Sequence, residues 1–347
     1  GEKFDNAIAL VFRAPKSYTG EDVVELSVHG GIFIVEKTLE AVFAAGASPA
    51  EAGEFTKRAF LNGKMDLTQA EAVASLISAN GQESAKASFN LLQGSLSDKI
   101  SNILDKIVSL SASMAAWVDY PDEEIPELDE STLKSTLTSA LNELKNLLDN
   151  YESGMIMTQG VNTVIAGRPN AGKSTLMNML SGKEKSIVTH IEGTTRDIVE
   201  NSVRLGTLVL HLSDTAGLRE SDDVVEAIGI KKALERIDTS SLVLAVFDSS
   251  RELDGDDKML IDACKGKKAV AVINKTDLSP AIDTEEIENN FESSVYISAK
   301  NNTGLKELEN AVKNILGVEE FDSSAPLIAN QRQKLCIQKA YENISEA

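Results

Sequence analysis

Eight consecutive residues, Gly167 to Ser174 (GRPNAGKS), separate an apolar stretch, Val161 to Ala166, from Thr175, Leu176, Met177, Asn178, Met179 and Leu180. This order predicts a strand, a phosphate-binding loop and a helix. Glycines let the backbone N–H groups of such a loop close around an anion, and the positive end of the following helix points at the same charge. Asn170, Ala171 and Gly172 are expected to supply loop amides, Lys173 to reach the terminal phosphates, Ser174 to bind magnesium, and Thr175 to flank the phosphates.

Three further signatures follow in order, each at the end of an apolar run. Asp214-Thr215-Ala216-Gly217 comes after Leu208 to Leu212. Its carboxylate is placed to face the magnesium shell and the Gly217 N–H to face the γ-phosphate. Asn274-Lys275-Thr276-Asp277 follows Ala269 to Ile273. Guanine carries an N–H and an exocyclic amine that one carboxylate accepts in bidentate fashion, so Asp277 is expected to read guanine and leave adenine unpaired. Ser298-Ala299-Lys300 follows Val295, Tyr296 and Ile297 and is expected to support the base from its other edge. Between the phosphate loop and Asp214 lies Gly193-Thr194-Thr195-Arg196-Asp197, where a switch segment would donate a threonine hydroxyl to magnesium. Thr195 is the candidate. Leu218 stands where Ras-like enzymes place a water-orienting glutamine, so a carboxylate of the run Glu220, Asp222, Asp223 and Glu226 is the candidate to orient water.

Apolar runs at 161–166, 203–212, 242–247, 269–273 and 295–297, mostly separated by helical stretches, predict a doubly wound α/β domain. Leu242 to Phe247 is apolar without alternation, which implies burial on both faces of a parallel sheet with the ligand at the strands' carboxyl ends. Residues 1–65 read as α+β, with strands at Ile8–Phe12 and Val23–Val28 and a helix from Ile32 to Ala45. Residues 66–153 read as helical, and Pro121 and Pro126 divide them into two groups. Residues 154–318 form the nucleotide domain. Ile328 to Ala347, within 319–347, is helical again and too amphipathic to stand alone, so the nucleotide domain reads as inserted into a helical domain.

With 347 residues and a net charge of −20, the chain has ample core and no broad basic face for nucleic acid. Cys264 and Cys336 make neither a disulfide framework nor a zinc pattern; both read as packing residues in a reducing, cytoplasmic setting. No apolar run approaches the roughly 20 residues a bilayer demands, so no membrane partner is expected. The chain begins at Gly1 inside what reads as a strand, which predicts a preceding N-terminal portion.

Outside the nucleotide signatures stand Tyr18-Thr19-Gly20-Glu21-Asp22-Val23-Val24-Glu25-Leu26, His29-Gly30-Gly31, Gly53-Glu54-Phe55-Thr56-Lys57-Arg58-Ala59-Phe60-Leu61-Asn62, Asp66-Leu67-Thr68-Gln69-Ala70-Glu71-Ala72 and Pro121-Asp122-Glu123-Glu124. With these the chain resembles the MnmE (TrmE) family of tRNA-modification GTPases, within the TrmE-Era-EngA-like P-loop superfamily, over nearly every residue. The resemblance implies an N-terminal folate-binding-type domain that forms a homodimer, a helical middle domain and an inserted Ras-like G domain that pairs across the nucleotide. It also implies an FAD-containing partner protein, a tRNA wobble uridine as target and formyl-tetrahydrofolate as carbon donor. The resemblance further implies potassium in the place of an arginine finger, with ligands matching the Asn170 side chain, Thr189, the Ile191 carbonyl and Thr194. The nucleotide-facing switch run becomes Thr189, His190, Ile191, Glu192, Gly193, Thr194 and Thr195. The water-orienting glutamate falls on Glu226, and the folate contacts on Glu25 and Lys64. His29 reads as a turn holder, and His190 and His211 as weak candidates for chemistry.

The family's first N-terminal segment is absent before Gly1, and its final helices and cysteine-bearing tail are absent after Ala347. GTP hydrolysis is expected to survive these losses better than tRNA modification. Two other readings stay open: a folate-dependent one-carbon transferase subunit regulated by GTP, and a GTP switch that recruits ribosomal, RNA or membrane partners. The first wants a reactive cysteine or base beside Glu25, and the second a basic extension or cationic amphipathic helix. Neither feature is found.

Overall fold

A computed structural model describes residues 3–79, 81–119, 129–182, 202–212, 236–319 and 321–347. The N-terminal part pairs β1 (Ile8–Phe12) antiparallel with β2 (Val23–Ser27), from Ile8 opposite Ser27 to Phe12 opposite Val23. Helices α1 (Ile32–Ala44) and α2 (Glu54–Leu61) follow. Ile8, Leu10, Val24, Leu26, Ile32 and Phe33 remain exposed on this pair and on α1.

The helical region comprises α3 (Leu67–Ile77), α4 (Gln82–Leu92), α5 (Ser95–Asp119), α6 (Glu130–Asp149) and α7 (Tyr151–Gln159). Asp66 starts α3 with a capping box: its carboxylate accepts from Gln69 N–H at 2.9 Å, while Gln69 Oε1 accepts from Asp66 N–H at 3.0 Å. α4 and α5 are separated at Gln93-Gly94, where Gly94 takes φ 94°, so Leu91 and Leu92 belong to α4 and Leu96 and Ile103 to α5. Ala72, Ala87, Leu91, Leu96, Ile103, Ala140, Leu144, Leu147 and Tyr151 share one core with Leu327, Ile328, Ala329 and Ile337 from the far end of the chain.

The last helix begins at Gln331, three residues later than its apolar pattern suggests. Asn330 caps it by accepting from Gln333 N–H at 2.9 Å, which leaves Leu327 to Ala329 as a buried, non-helical lead-in. Glu71 of α3 accepts from Asn330 Nδ2 and Gln333 Nε2, each at 2.8 Å, and from Arg332 Nε at 2.7 Å, fixing the start of that helix to α3.

The third region is a six-stranded sheet of β3 (Val161–Ala166), β4 (Ser202–Leu205), β5 (Leu208–Leu212), β6 (Leu242–Asp248), β7 (Ala269–Asn274) and β8 (Ser293–Tyr296), in the spatial order β4-β5-β3-β6-β7-β8. β3 and β5 to β8 are parallel. The expected single strand over 203–212 is instead an antiparallel hairpin, because Gly206 at φ 60° and Thr207 turn the chain so that Leu205 pairs with Leu208. All seven residues of β6 are buried. Leu242, Leu244 and Val246 enter the core on one face, and Val243, Ala245 and Phe247 the core on the other, as the two-residue period of a strand between two helical layers requires.

Helix α8 (Lys173–Ser181) leaves the phosphate loop, α9 (Gly255–Cys264) follows β6, α10 (Thr284–Glu288) precedes β8, α11 (Leu305–Leu316) follows it, and α12 (Gln331–Glu346) ends the chain. α7 serves two cores: Tyr151 packs with the helical region and Met157 with the sheet. Cys264 is buried as expected for a packing residue, and burial pushes its thiol up to about 12. Cys336 is exposed, because its position on α12 faces away from the core that Ile337 enters; the packing assignment does not hold for it. No described helix is long and apolar enough to cross a membrane.

Candidate functional site

Chain order reverses direction across the sheet between β3 and β6: β5 lies on one side of β3, and β6, β7 and β8 on the other. In an open parallel sheet, the crevice at the carboxyl ends of the strands beside such a switch is where a ligand fits. The loop after β3 and the loops after β6 and β7 open there.

The phosphate loop takes its shape from two glycines. A Cβ on Gly167 would sit 2.5 Å from the Val246 carbonyl oxygen, and one on Gly172, at φ 96°, would collide with Asn274 Nδ2. Only bare backbone fits at these points, which lets the loop stay tight enough to wrap a phosphate, and Ala171 N–H donates within it to the Arg168 carbonyl at 3.3 Å. Asn170 holds a left-handed conformation at φ 60°, with its side chain exposed at the loop's outer edge. Ala171 is buried, and Ser174 and Thr175 are exposed on the first turn of α8. Lys173 Nζ donates to the Gly167 and Arg168 carbonyls, each at 2.7 Å. It folds back over its own loop, and burial lowers its pKa to about 8.

The Asn274 side chain, at the end of β7, ties the phosphate loop to the loop after β8. Its Nδ2 donates to the Ala171 carbonyl at 3.0 Å, and its Oδ1 accepts from Ala299 N–H at 3.0 Å. Thr276 N–H donates to the Ile297 carbonyl at 3.2 Å. Ser298 Oγ donates to Asp277 Oδ1 at 2.6 Å, and this bond holds the Asp277 carboxyl below its usual range, with Lys300 and Lys275 adding to the effect. An ionised, oriented carboxylate is what bidentate acceptance from guanine needs. Lys300 is exposed at the outer end of this loop.

The predicted residues Asn170 to Thr175, Asn274 to Asp277 and Ser298 to Lys300 are therefore brought together. Thr189, His190, Ile191, Glu192, Gly193, Thr194, Thr195, Asp214, Thr215, Ala216, Gly217 and Glu226 lie outside the described residues. Glu25 and Lys64 line one cavity of about 310 Å³ with Phe12, Lys16, Ser17, Tyr18 and Val23, where Lys64 Nζ donates to the Pro15 carbonyl at 2.9 Å. His29 holds a turn: its N–H and Nδ1 meet the two oxygens of Asp5 at 3.0 and 2.7 Å. His211 pairs through Nε2 with the Gln159 carbonyl at 2.6 Å and through Nδ1 with Ser202 Oγ at 2.8 Å, a structural placement on β5.

Sequence reasoning passed over four charged residues beside the pocket. Lys275 Nζ donates to Asp248 Oδ2 at 2.6 Å, and Asp248 also accepts from Ser250 N–H and Oγ. Burial opposes ionisation of Asp248, yet Lys275 and Ser250 hold its carboxyl below the usual range. Arg168 of the phosphate loop pairs with Asp254 and lies 3.7 Å from Asp257. The available signal was an aspartate ending an otherwise apolar strand, followed by the Asp254-x-x-Asp257 capping pattern that starts α9.

Comparisons with known proteins agree with this geometry. A family model described as GTP-binding protein TrmE N-terminus matches residues 1–64, and one described as MnmE helical domain matches residues 67–347. The tRNA modification GTPase MnmE of Clostridioides difficile (strain 630) is 40% identical over 348 residues, covering 99% of this chain and 75% of the relative. The same-named protein of Carboxydothermus hydrogenoformans is 41% identical over 351 residues, covering 100% of this chain and 76% of the relative.

The chain belongs to the MnmE family.

Membership accounts for the company the pocket keeps: a P-loop GTPase sheet, a helical region and a TrmE-type N-terminal region in one chain. MnmE-type chains bind GTP and GDP, and the described phosphate and base loops are the parts of this chain that fit that ligand. The relatives extend beyond the aligned region by about a quarter of their length.

Proposed function

We propose that this chain hydrolyses GTP to GDP and phosphate to drive modification of a tRNA wobble uridine, installing an aminomethyl-type group at position five of uracil. The observation that carries the GTPase half is the joining of Ala171, Asn274 and Ala299 through one buried side chain, which sets a phosphate loop and an oriented Asp277 at the ends of one crevice. The tRNA half rests on family membership.

In this reading Asn170 to Thr175 hold the phosphates, Lys173 neutralises charge that builds up during cleavage, and Asn274 to Asp277 with Ser298 to Lys300 hold guanine. Ser174 offers a hydroxyl oxygen, a ligand of the hard type that magnesium takes, on the first turn of α8, and Thr195 is its proposed companion. The Asn170 side chain, Thr189, the Ile191 backbone carbonyl and Thr194 would hold potassium, and Glu226 would orient water. The exposed Asn170 side chain offers an amide oxygen, the kind of ligand such a cation takes. Glu25 and Lys64 in the 310 Å³ cavity favour a folate with a donor-rich ring and an anionic tail. Exposed Val11, Val24 and Leu26, on one face of the β1–β2 pair, favour an N-terminal homodimer contact, and an FAD-containing protein remains the proposed partner.

The proposed domains are 1–65, 66–153, 154–318 and 319–347, with the G domain inserted in the helical one. The packing of Leu327 to Ala329 beside Ala72 and Leu91 supports that insertion.

Turnover measured in potassium and in sodium at matched ionic strength tests the cation. Potassium is expected to be at least about tenfold faster, and equal rates would remove it from the mechanism. Asp277→Asn tests the base reading: the GDP dissociation constant should rise by roughly 10- to 100-fold. Xanthosine diphosphate should gain affinity, because the new amide donates to the carbonyl that replaces guanine's amine. Loss of both nucleotides would assign Asp277 a structural role instead.

A further inference from the structure

The segment from Asp248 to Asp257 leaves the end of β6, between the two loops that hold the proposed nucleotide, and carries an ion pair to each. At its first residue, buried Asp248 holds Lys275 of the base loop at 2.6 Å. At its far end, Asp254 holds Arg168 of the phosphate loop, and buried Asp257 approaches the same guanidinium at 3.7 Å. The segment between is short and pinned. Ser250 N–H and Oγ bond back to Asp248 at 3.0 and 2.7 Å, and the Asp254–Asp257 capping box sets the start of α9.

Arg168 Nε and Asp257 Oδ1 are buried with no hydrogen-bond partner among the described residues. The Arg168 and Asp257 side chains are only 18% and 5% exposed, so their attraction is weakly screened, whereas the Asp254 side chain that also holds Arg168 is 41% exposed.

We propose that Arg168 and Asp248 are positioning residues for guanine selectivity: the 248–257 segment acts as a strap that fixes the separation between the phosphate loop and the base-reading loop. Neither residue needs to touch the nucleotide. A phosphate loop released from Asp254 lets the ligand shift along the crevice, and the purine then meets Asp277 in poorer register. Selectivity for the base thus depends on an ion pair at the phosphate end. The proposal rests on the nucleotide site described above.

The test compares GDP with inosine diphosphate, which lacks only the exocyclic amine, using calorimetry on the full chain. Wild type, Arg168→Gln, Arg168→Lys and Asp248→Asn are each measured. Arg168→Gln and Asp248→Asn should each weaken GDP by about tenfold, the scale of one charge-assisted hydrogen bond. Each should also reduce the preference for GDP over inosine diphosphate by about threefold or more, and Arg168→Lys should recover most of that preference. If Arg168→Gln fails to fold, Asp254→Asn removes the same pair from the other side.

Weaker GDP binding with an unchanged preference in all variants would mean that each pair acts locally, and the strap would be abandoned. Unchanged binding of both nucleotides would have the same consequence. Wild type that ignores GDP would overturn the nucleotide site itself, a result distinct from either.

Discussion

Lys173→Ala will lower GTP turnover by about 10³-fold or more, near 4 kcal/mol of lost transition-state stabilisation. The side chain is poised rather than idle. Its ammonium rests on the Gly167 and Arg168 carbonyls at 2.7 Å, inside the loop that would surround the phosphates, and burial has already lowered its pKa to about 8. A bound phosphate favours the protonated form, so the bound pKa lies above that of the free protein. The sign of the pH dependence follows: GDP affinity is full below pH about 8 and weakens as pH rises through that value, with proton uptake on binding. Phosphate release assays check the rate, and calorimetry in buffers of different ionisation enthalpy checks the proton. Turnover within tenfold of wild type would show that Lys173 serves only the loop's own carbonyls.

The second large effect is on stability. Phe247→Ala should cost the nucleotide domain about 3–5 kcal/mol. Phe247 is fully buried on the central strand β6 and meets Phe291 edge to face, with ring centroids 5.8 Å apart and planes at 77°. β6 is flanked by β3 and β7, so the sheet has little room to collapse into the space left behind. Denaturant unfolding followed through the transition that GDP shifts provides the measurement. A loss under about 1 kcal/mol would mean that the neighbouring helices close the cavity. Because Asp248 is the next residue, the same change should loosen Lys275, and GDP binding at low denaturant should weaken with it.

Much of the site was legible from local pattern. GRPNAGKS demanded a tight loop, since Gly167 and Gly172 stand where any Cβ would strike Val246 or Asn274. Asn274 to Asp277 and Ser298 to Lys300 announced themselves by following apolar runs. The 203–212 run was misread because hydrophobic alternation says nothing about direction, and Gly206-Thr207 inside it was enough to reverse the chain. Cys336 was misread because an amphipathic helix of uncertain phase does not say which neighbour faces the core.

Local order along the chain therefore determined the kinds of element, the phosphate loop and the residue types that read guanine, because each depends on a few consecutive side chains and on backbone freedom at glycine. The ion pairs joining Arg168 to Asp254 and Asp248 to Lys275 span 86 and 27 residues. They exist because β3, β6 and β7 lie side by side, an arrangement that burial of both sheet faces selects and that no short stretch of sequence encodes.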